Sequence, residues 1–436
     1  MSSNKNKNYH IIAWLICTLG AIYYAYEYFL RIAPSVMEPQ LRNHFNLSAS
    51  GFGFLSAFYY YAYVPMQLPV GVLMDRYGPR RLLTLACLLC VFGTFLFAGT
   101  TVFSVAASGR FLVGLGSSFA FVGVLKLATI WLPEDKLAMV AGMAAALGTI
   151  GAMIGDNILG AMVFNFGWQP TVYITGFFGL GLTIVLWFGI KDNKRKTQKR
   201  ETLDSFKKNM IDLGNIAKNG QIWINGFYGC LVYLPTTVFA ELWGIPYLRH
   251  AYGMSETEAH FANSLLFLGF TIGAPLMGYI SDRLHRRKPP MMIGASGAAL
   301  IMMLIIYMPN INYYTLYFLM LLLGILYSAQ AIVFAVGREL SAKEAAGTAI
   351  AMTNMIVMIG AMFLQPLVGA LLDWSSHQHM ISVPTEGLLL DKMNQFYTAD
   401  DYRFAMSIIP LGILIAAILT LFLRETYASS DANTRQ

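Results

Sequence analysis

In "YYAYEYFLRIAPS" (23–35) a glutamate and an arginine, Glu27 and Arg31, stand four residues apart. On a helix that spacing puts both on one face. An arginine so placed can grip a carboxylate with two parallel hydrogen bonds. A glutamate beside it can hold the guanidinium while no ligand is present. It can also act as a switch, because losing its proton restores the ion pair and releases the ligand. Tyr23 and Tyr24 lie one turn below Glu27 and continue its face, whereas Tyr26 and Tyr28 are expected to point elsewhere. The alternative role is structural, an ion pair tying this helix to a neighbour.

Other charges sit in equally apolar surroundings. Arg110 is either a second cation at a cavity or a packing group bonded to backbone carbonyls. Lys126 either faces the cavity or snorkels to the interface. It follows Arg110 by sixteen residues, about 160° round a helix, so the two do not share a face. Asp156, in "GTIGAMIGDNILG" (148–160), and Glu241, in "FAELWGIPYL", are the further candidates for carrying a proton. Among the uncharged polar residues, Gln330 and Asn354 are expected to border the cavity with Tyr24. Tyr228, Tyr233, Asn263, Tyr327 and Gln365 read as contacts between helices.

The elements that carry these residues are membrane spans. The chain has 436 residues, a mean hydropathy of +0.55, 56% hydrophobic and 12% charged residues. A soluble protein would carry about twice that charged fraction. Twelve apolar runs are long enough to cross ~30 Å of hydrocarbon as helices: roughly 11–33, 51–73, 82–101, 104–132, 138–164, 170–190, 221–247, 258–280, 289–308, 312–336, 346–372 and 404–423. With the N-terminus in the cytoplasm, cytoplasmic segments hold 23 of the 30 Lys and Arg and outer loops hold 4. That bias predicts both termini inside. It also makes the pI of 9.1 a matter of topology, not of nucleic-acid binding. The four cysteines fall within spans and form no readable disulfide or metal pattern. No G-x-x-x-x-G-K-[ST] loop occurs and no soluble catalytic domain is present, which excludes ATP-driven transport by this chain alone and argues against an enzyme.

The basic stretch "KDNKRKTQKRETLDSFKKN" (191–209) divides the spans six and six. The expected domains are an N-terminal bundle (1–190), a linker (191–220) and a C-terminal bundle (221–436). A repeat supports the division. "GVLMDRYGPRR" (71–81) follows the second span and "GYISDRLHRRK" (278–288) the eighth, both fitting G-x-x-x-D-R-x-x-x-R-R/K. A glycine for close helix approach, an aspartate at a helix end and a basic cluster form a plausible conformational latch.

These motifs resemble those of the major facilitator superfamily along the whole chain. The first copy of its loop motif is matched by Gly71, Asp75, Arg76, Gly78, Arg80 and Arg81, with Pro79 where a basic residue is usual. The second has Asp282 and Arg283 in place, with His285 for the usual second glycine. "GRFLVGLG" (109–116) is similar to the family's fourth-helix motif. The resemblance implies an all-α membrane protein of two pseudo-symmetric six-helix bundles around a central site. "YFLRIAPS", "RFLVGLGSSFAFVGVLKLATIWLP" (110–133), "FGWQPTVYITGFFGL" (166–180) and "PLVGALLDW" (366–374) resemble the anion:cation symporter branch, in which the position of Arg31 anchors a substrate carboxylate. That branch usually has a glutamate where Ser117 stands, so either coupling uses another carboxylate or the chain lies outside the branch. "LWGIPYLRHAYGMS" (242–255) resembles bacterial relatives of lysosomal dipeptide transporters. Ala152 replaces the proline of the antiporter signature, which argues against drug export.

The expected function is proton-coupled uptake of a small anionic or zwitterionic solute through the inner membrane, by a monomer needing no cofactor; the candidates are organic acids, sugar acids, carboxylate siderophores, amino acids and short peptides. The charges within spans are three cations (Arg31, Arg110, Lys126) and three anions (Glu27, Asp156, Glu241). The competing classes are an exporter of amphiphilic compounds and a receptor-like protein without transport.

Overall fold

A computed structural model describes residues 2–133, 136–191, 211, 213–308, 311–342, 345–382 and 397–427. Most of the basic linker and the middle of the outer loop 374–402 lie outside them. The first set of helices comprises α1 (Ser2–Val36), α2 (Glu38–Phe45), α3 (Ala49–Met66), α4 (Pro69–Tyr77), α5 (Pro79–Ala98), α6 (Phe103–Ser117), α7 (Ala120–Trp131), α8 (Leu137–Ile154), α9 (Gly160–Phe166) and α10 (Trp168–Gly189). The second comprises α11 (Gly220–Val232), α12 (Gly244–Tyr252), α13 (Glu256–Arg283), α14 (Lys288–Tyr307), α15 (Tyr313–Tyr327), α16 (Ile332–Glu339), α17 (Ala346–Ser382), α18 (Ala399–Met406) and α19 (Ile408–Phe422).

Eleven helical stretches among the described residues are long and apolar enough to cross a membrane. The second expected span is not one of them. It forms α3 and α4, interrupted at Gln67 and Leu68, and its four tyrosines make it less apolar. The reason is its position: α3 packs along α17, so it faces protein more than lipid.

Local chemistry sets the helix ends. Ser48 caps α3 by accepting from Gly51 N, and Ser255 with Glu258 forms a capping box on α13. Gly78 joins α4 to α5 at φ 82°, a conformation suited to glycine. At the equivalent place in the second copy of the loop motif, His285 adopts φ 50°. The connection itself differs, since Gly78 alone separates α4 from α5 whereas residues 284–287 separate α13 from α14.

Three spans depart from α-helix. A π-helical segment, Gly155–Leu159, joins α8 to α9, and a longer one, Pro235–Trp243, joins α11 to α12. A 3₁₀ turn, Ser328–Ala331, separates α15 from α16. π-segments widen a helix locally and recur at functional sites.

The two sets meet along α3 and α17, along α8 and α13, and where α1 lies against Pro235–Trp243. The end carrying residue 191 and α11's start is here the linker side. The far side is closed. A Cβ on Gly53 would stand 2.6 Å from the Gln365 carbonyl oxygen, and one on Gly369 2.3 Å from that of Ala49. Gly160 of α9 is packed on His260 of α13 in the same way. Toward the linker side the same pairs of spans still touch: Asn354 of α17 bonds to Gln67 at 2.8 Å, Leu68 packs against the cluster of Ala349 and Met352, and Thr149 of α8 bonds to Thr271 of α13 at 2.6 Å.

Candidate functional site

α1 brings Glu27 and Arg31 to the middle of this interface. Arg31 Nη2 donates to Glu27 Oε1, and Arg31 Nε donates to Tyr59 Oη at 3.0 Å. Tyr59 in turn donates to the same Glu27 oxygen at 2.5 Å. The pair expected from the spacing therefore forms, and α3 completes it as a triangle. From the other set, the π-helical segment projects Glu241 toward them. Glu241 Oε1 lies 3.7 Å from Arg31 Nη1, an ion pair but not a hydrogen bond, and Glu241 Oε2 accepts from Tyr60. All three charged side chains are buried: Glu27 is 0%, Arg31 2% and Glu241 1% exposed.

Aromatic rings surround the guanidinium. Its carbon lies 4.4 Å from the Tyr28 centroid, 5.0 Å from Tyr63 and 5.4 Å from Tyr59. Tyr28 also bonds across the interface to Tyr233 Oη at 3.2 Å. Tyr28 was expected to point elsewhere, but three residues before Arg31 it lies under the guanidinium. Tyr23 donates to Gly116 O and Tyr26 to Thr175 O, so those two serve packing within the first set. Tyr24, half-buried, packs on Tyr28 and Phe121 at the linker side of the group.

The remaining candidates separate. Asp156, in the π-segment of the fifth span, accepts from Asn263 Nδ2 of α13 at 2.7 Å, and that nitrogen also donates to Ala240 O, next to Glu241. Asp156 is thus linked to the Glu241 segment. Asn354 of α17 donates to Gln67 Oε1 of the first set at 2.8 Å. Gln330 is buried in the 3₁₀ turn. Arg110 donates to Leu30 O at 2.9 Å and Arg31 O at 3.3 Å. It takes the packing role, holding the backbone of α1 that carries Arg31. A small apolar cavity beside it, lined by Leu30, Pro34, Phe97 and Val113, lies within the first set, off the interface.

Lys126 is not brought to the group. Its Nζ pairs with Asp75 Oδ1, half exposed, at the first copy of the loop motif. Arg80 packs over the Trp187 ring and donates to Trp187 O, and Arg76 is exposed over Tyr77. In the second copy Arg283 is exposed, and the organising cation is Arg287. It donates to Asp282 Oδ1 at 2.6 Å and grips Glu339 at 2.6 and 3.2 Å. Among the described residues, the ion pairs of both copies stay within their own set.

The site residues missed in sequence are Tyr59, Tyr60 and Tyr63, and Gln365, which donates to Thr237 O of the π-segment. The tyrosines had a signal, the i, i+1, i+4 spacing in "FYYYAYVP" (58–65).

This arrangement of helices and a charged group at their interface defines a membrane transporter. The Major Facilitator Superfamily model matches residues 17–244 and 226–436. The chain belongs to that superfamily and is a multi-pass membrane transporter, not an enzyme. It is similar to the probable sulfoacetate transporter SauU of Cupriavidus necator, 26% identical over 67% of this chain and 69% of that protein. It is also similar to the probable galactarate/D-glucarate transporter GarP of Escherichia coli, at 24% over 65% and 69%. The membrane sensor protein UhpC of Salmonella typhimurium matches at 23% over 78% and 80%. Among solved structures, a bacterial homologue of the human lysosomal transporter Spinster, inward-facing and unoccupied, superposes with a TM-score of 0.75 at 16% identity, covering 94% and 97% of the two chains.

Proposed function

We propose that this protein takes up a small carboxylate-bearing solute by proton-coupled alternating access across the inner membrane. The observation that carries the reading is the buried Arg31, set between carboxylates of both helix sets. A lone buried arginine would be costly, and one held by two glutamates can exchange a partner for a solute carboxylate at modest net cost. Glu27 is the proton carrier of choice. Protonated, it releases Arg31 to the solute; deprotonated, it reclaims Arg31 and ejects the solute. Asp156 and Glu241 are the next candidates.

The relatives named for sulfoacetate and galactarate/D-glucarate support an organic acid. With both termini in the cytoplasm, as the Lys/Arg bias predicts, the linker side is the cytoplasmic side. The state described above is then closed outside, with the central charges buried. The likeness to UhpC gives a sensor without transport a specific footing.

Thermal-shift screening of the purified protein against metabolite pools, followed by uptake of the stabilising solute, tests the reading. Arg31→Ala should weaken binding at least about tenfold, the loss of one charge-assisted contact. Normal binding by Arg31→Ala would make the pair structural. Binding without uptake would favour the sensor, and resistance to toxic compounds instead of uptake would favour an exporter.

A further inference from the structure

Among the described residues around the central group, the buried side-chain atoms without a hydrogen bond are mainly acceptors, with Arg110 Nε the exception. Glu27 Oε2, Glu241 Oε1, Asp156 Oδ1, Asn263 Oδ1 and Gln365 Oε1 are buried oxygens that receive no hydrogen bond. A site shaped only for an anion should leave donors unmet. Here Arg31 is largely used, by Glu27 and Tyr59, and its remaining nitrogen, Nη1, stands 3.7 Å from Glu241. The charge count agrees. Among the described residues of the group, the single cation Arg31 faces two carboxylates, since Arg110 is turned to carbonyls of α1. A bare carboxylate at Arg31 would leave Glu241 buried with Tyr60 as its remaining partner, so a solute that also brings a positive charge for Glu241 is favoured.

We propose that the solute is a zwitterion carrying an amino group as well as a carboxylate. Its carboxylate takes Arg31 Nη1 in place of Glu241, and its ammonium takes the freed Glu241 Oε1. One ion pair between the helix sets is thereby replaced by two that run through the solute, with no change in net charge. Amino acids and short peptides have this chemistry. The inference rests on Arg31 being the carboxylate anchor. The alternative source of donors is protons on the carboxylates themselves, and the test separates the two.

Thermal stability of the full-length protein in detergent is measured at one pH with three pools. These are an enzymatic casein hydrolysate, the same hydrolysate after N-acetylation, and a mixture of hydroxy and dicarboxylic acids with sulfoacetate. The hydrolysate should stabilise the protein, and acetylation should weaken that response at least about tenfold in concentration. Glu241→Gln should lose the response and Glu241→Asp should recover part of it, each checked for a ligand-free melting transition. A missing hydrolysate response, or one that survives acetylation, overturns the amino-group inference. If only the acids stabilise, and Arg31→Ala abolishes that, the carboxylate anchor stands while the amino group falls. Responses indifferent to Arg31→Ala refute both.

Discussion

Tyr59, Tyr60 and Tyr63 show what residue types alone conceal. In sequence they are part of an aromatic run on a span; in the fold two of them become donors to the two glutamates. The Glu27–Arg31 pair was legible because i, i+4 geometry is local and independent of tertiary packing. Its third and fourth partners were not, because they arrive from α3 and from Glu241, 210 residues beyond Arg31 in the chain. Arg31→Lys keeps the charge and loses the planar fork, so it should recover only part of the binding lost in Arg31→Ala, read by isothermal titration. Tyr59→Phe removes a donor shared by Glu27 and the acceptor of Arg31 Nε. It should weaken solute binding by about 1–2 kcal/mol without unfolding the protein, since the ring packing is retained.

Among the elements, the spans and their linker-side motifs were readable, while the irregular segments were not. In the seventh span Pro246 lies inside α12, while the irregular stretch is Pro235–Trp243. Its geometry is stabilised by partners distant in sequence, Gln365 on Thr237 O and Tyr327 on Thr236 at 2.6 Å. The far-side closure was equally hidden. Asp373 of α17 accepts from Ala49 N at 3.0 Å and Ser50 N at 2.9 Å, capping α3 of the other set, and Tyr397 donates to it at 2.6 Å. Two orphan amides of a helix start are satisfied only while that side is shut. Asp373→Ala should therefore shift the protein toward far-side opening, seen as longer distances between spin labels on α3 and α17. Gly53→Leu and Gly369→Leu, which cannot close against backbone at 2.6 and 2.3 Å, should abolish uptake while leaving a folded protein. Unchanged far-side distances in all three would refute the closure described here.

At the scale of the whole molecule, the repeat is used unequally. Each loop-motif aspartate is tied to its own set, Asp75 through Lys126 and Asp282 through Arg287 and Glu339. Lys126, read in sequence as either a cavity cation or one snorkelling to the interface, is the partner of the first motif's aspartate. Its distance from the motif in sequence, 51 residues from Asp75, hid the pairing. Asp75→Asn should slow uptake several-fold while leaving equilibrium binding within a few-fold. A large loss of binding with normal conformational exchange would contradict that. Membrane orientation has its own check: a cysteine introduced within 194–200, outside the described residues, should resist impermeant maleimides in sealed cells.

The central claim is that a solute held by Arg31 moves with a proton carried at Glu27. Proteoliposomes bearing wild type or Glu27→Gln, loaded with the stabilising solute or empty, test it most directly. Under an imposed proton gradient the wild type should concentrate the solute. Glu27→Gln should bind it as well or better and exchange it in counterflow, because no net proton movement is needed, yet fail to accumulate it. Accumulation by Glu27→Gln would place coupling elsewhere, with Asp156 and Glu241 the next carboxylates to change, and would contradict the account.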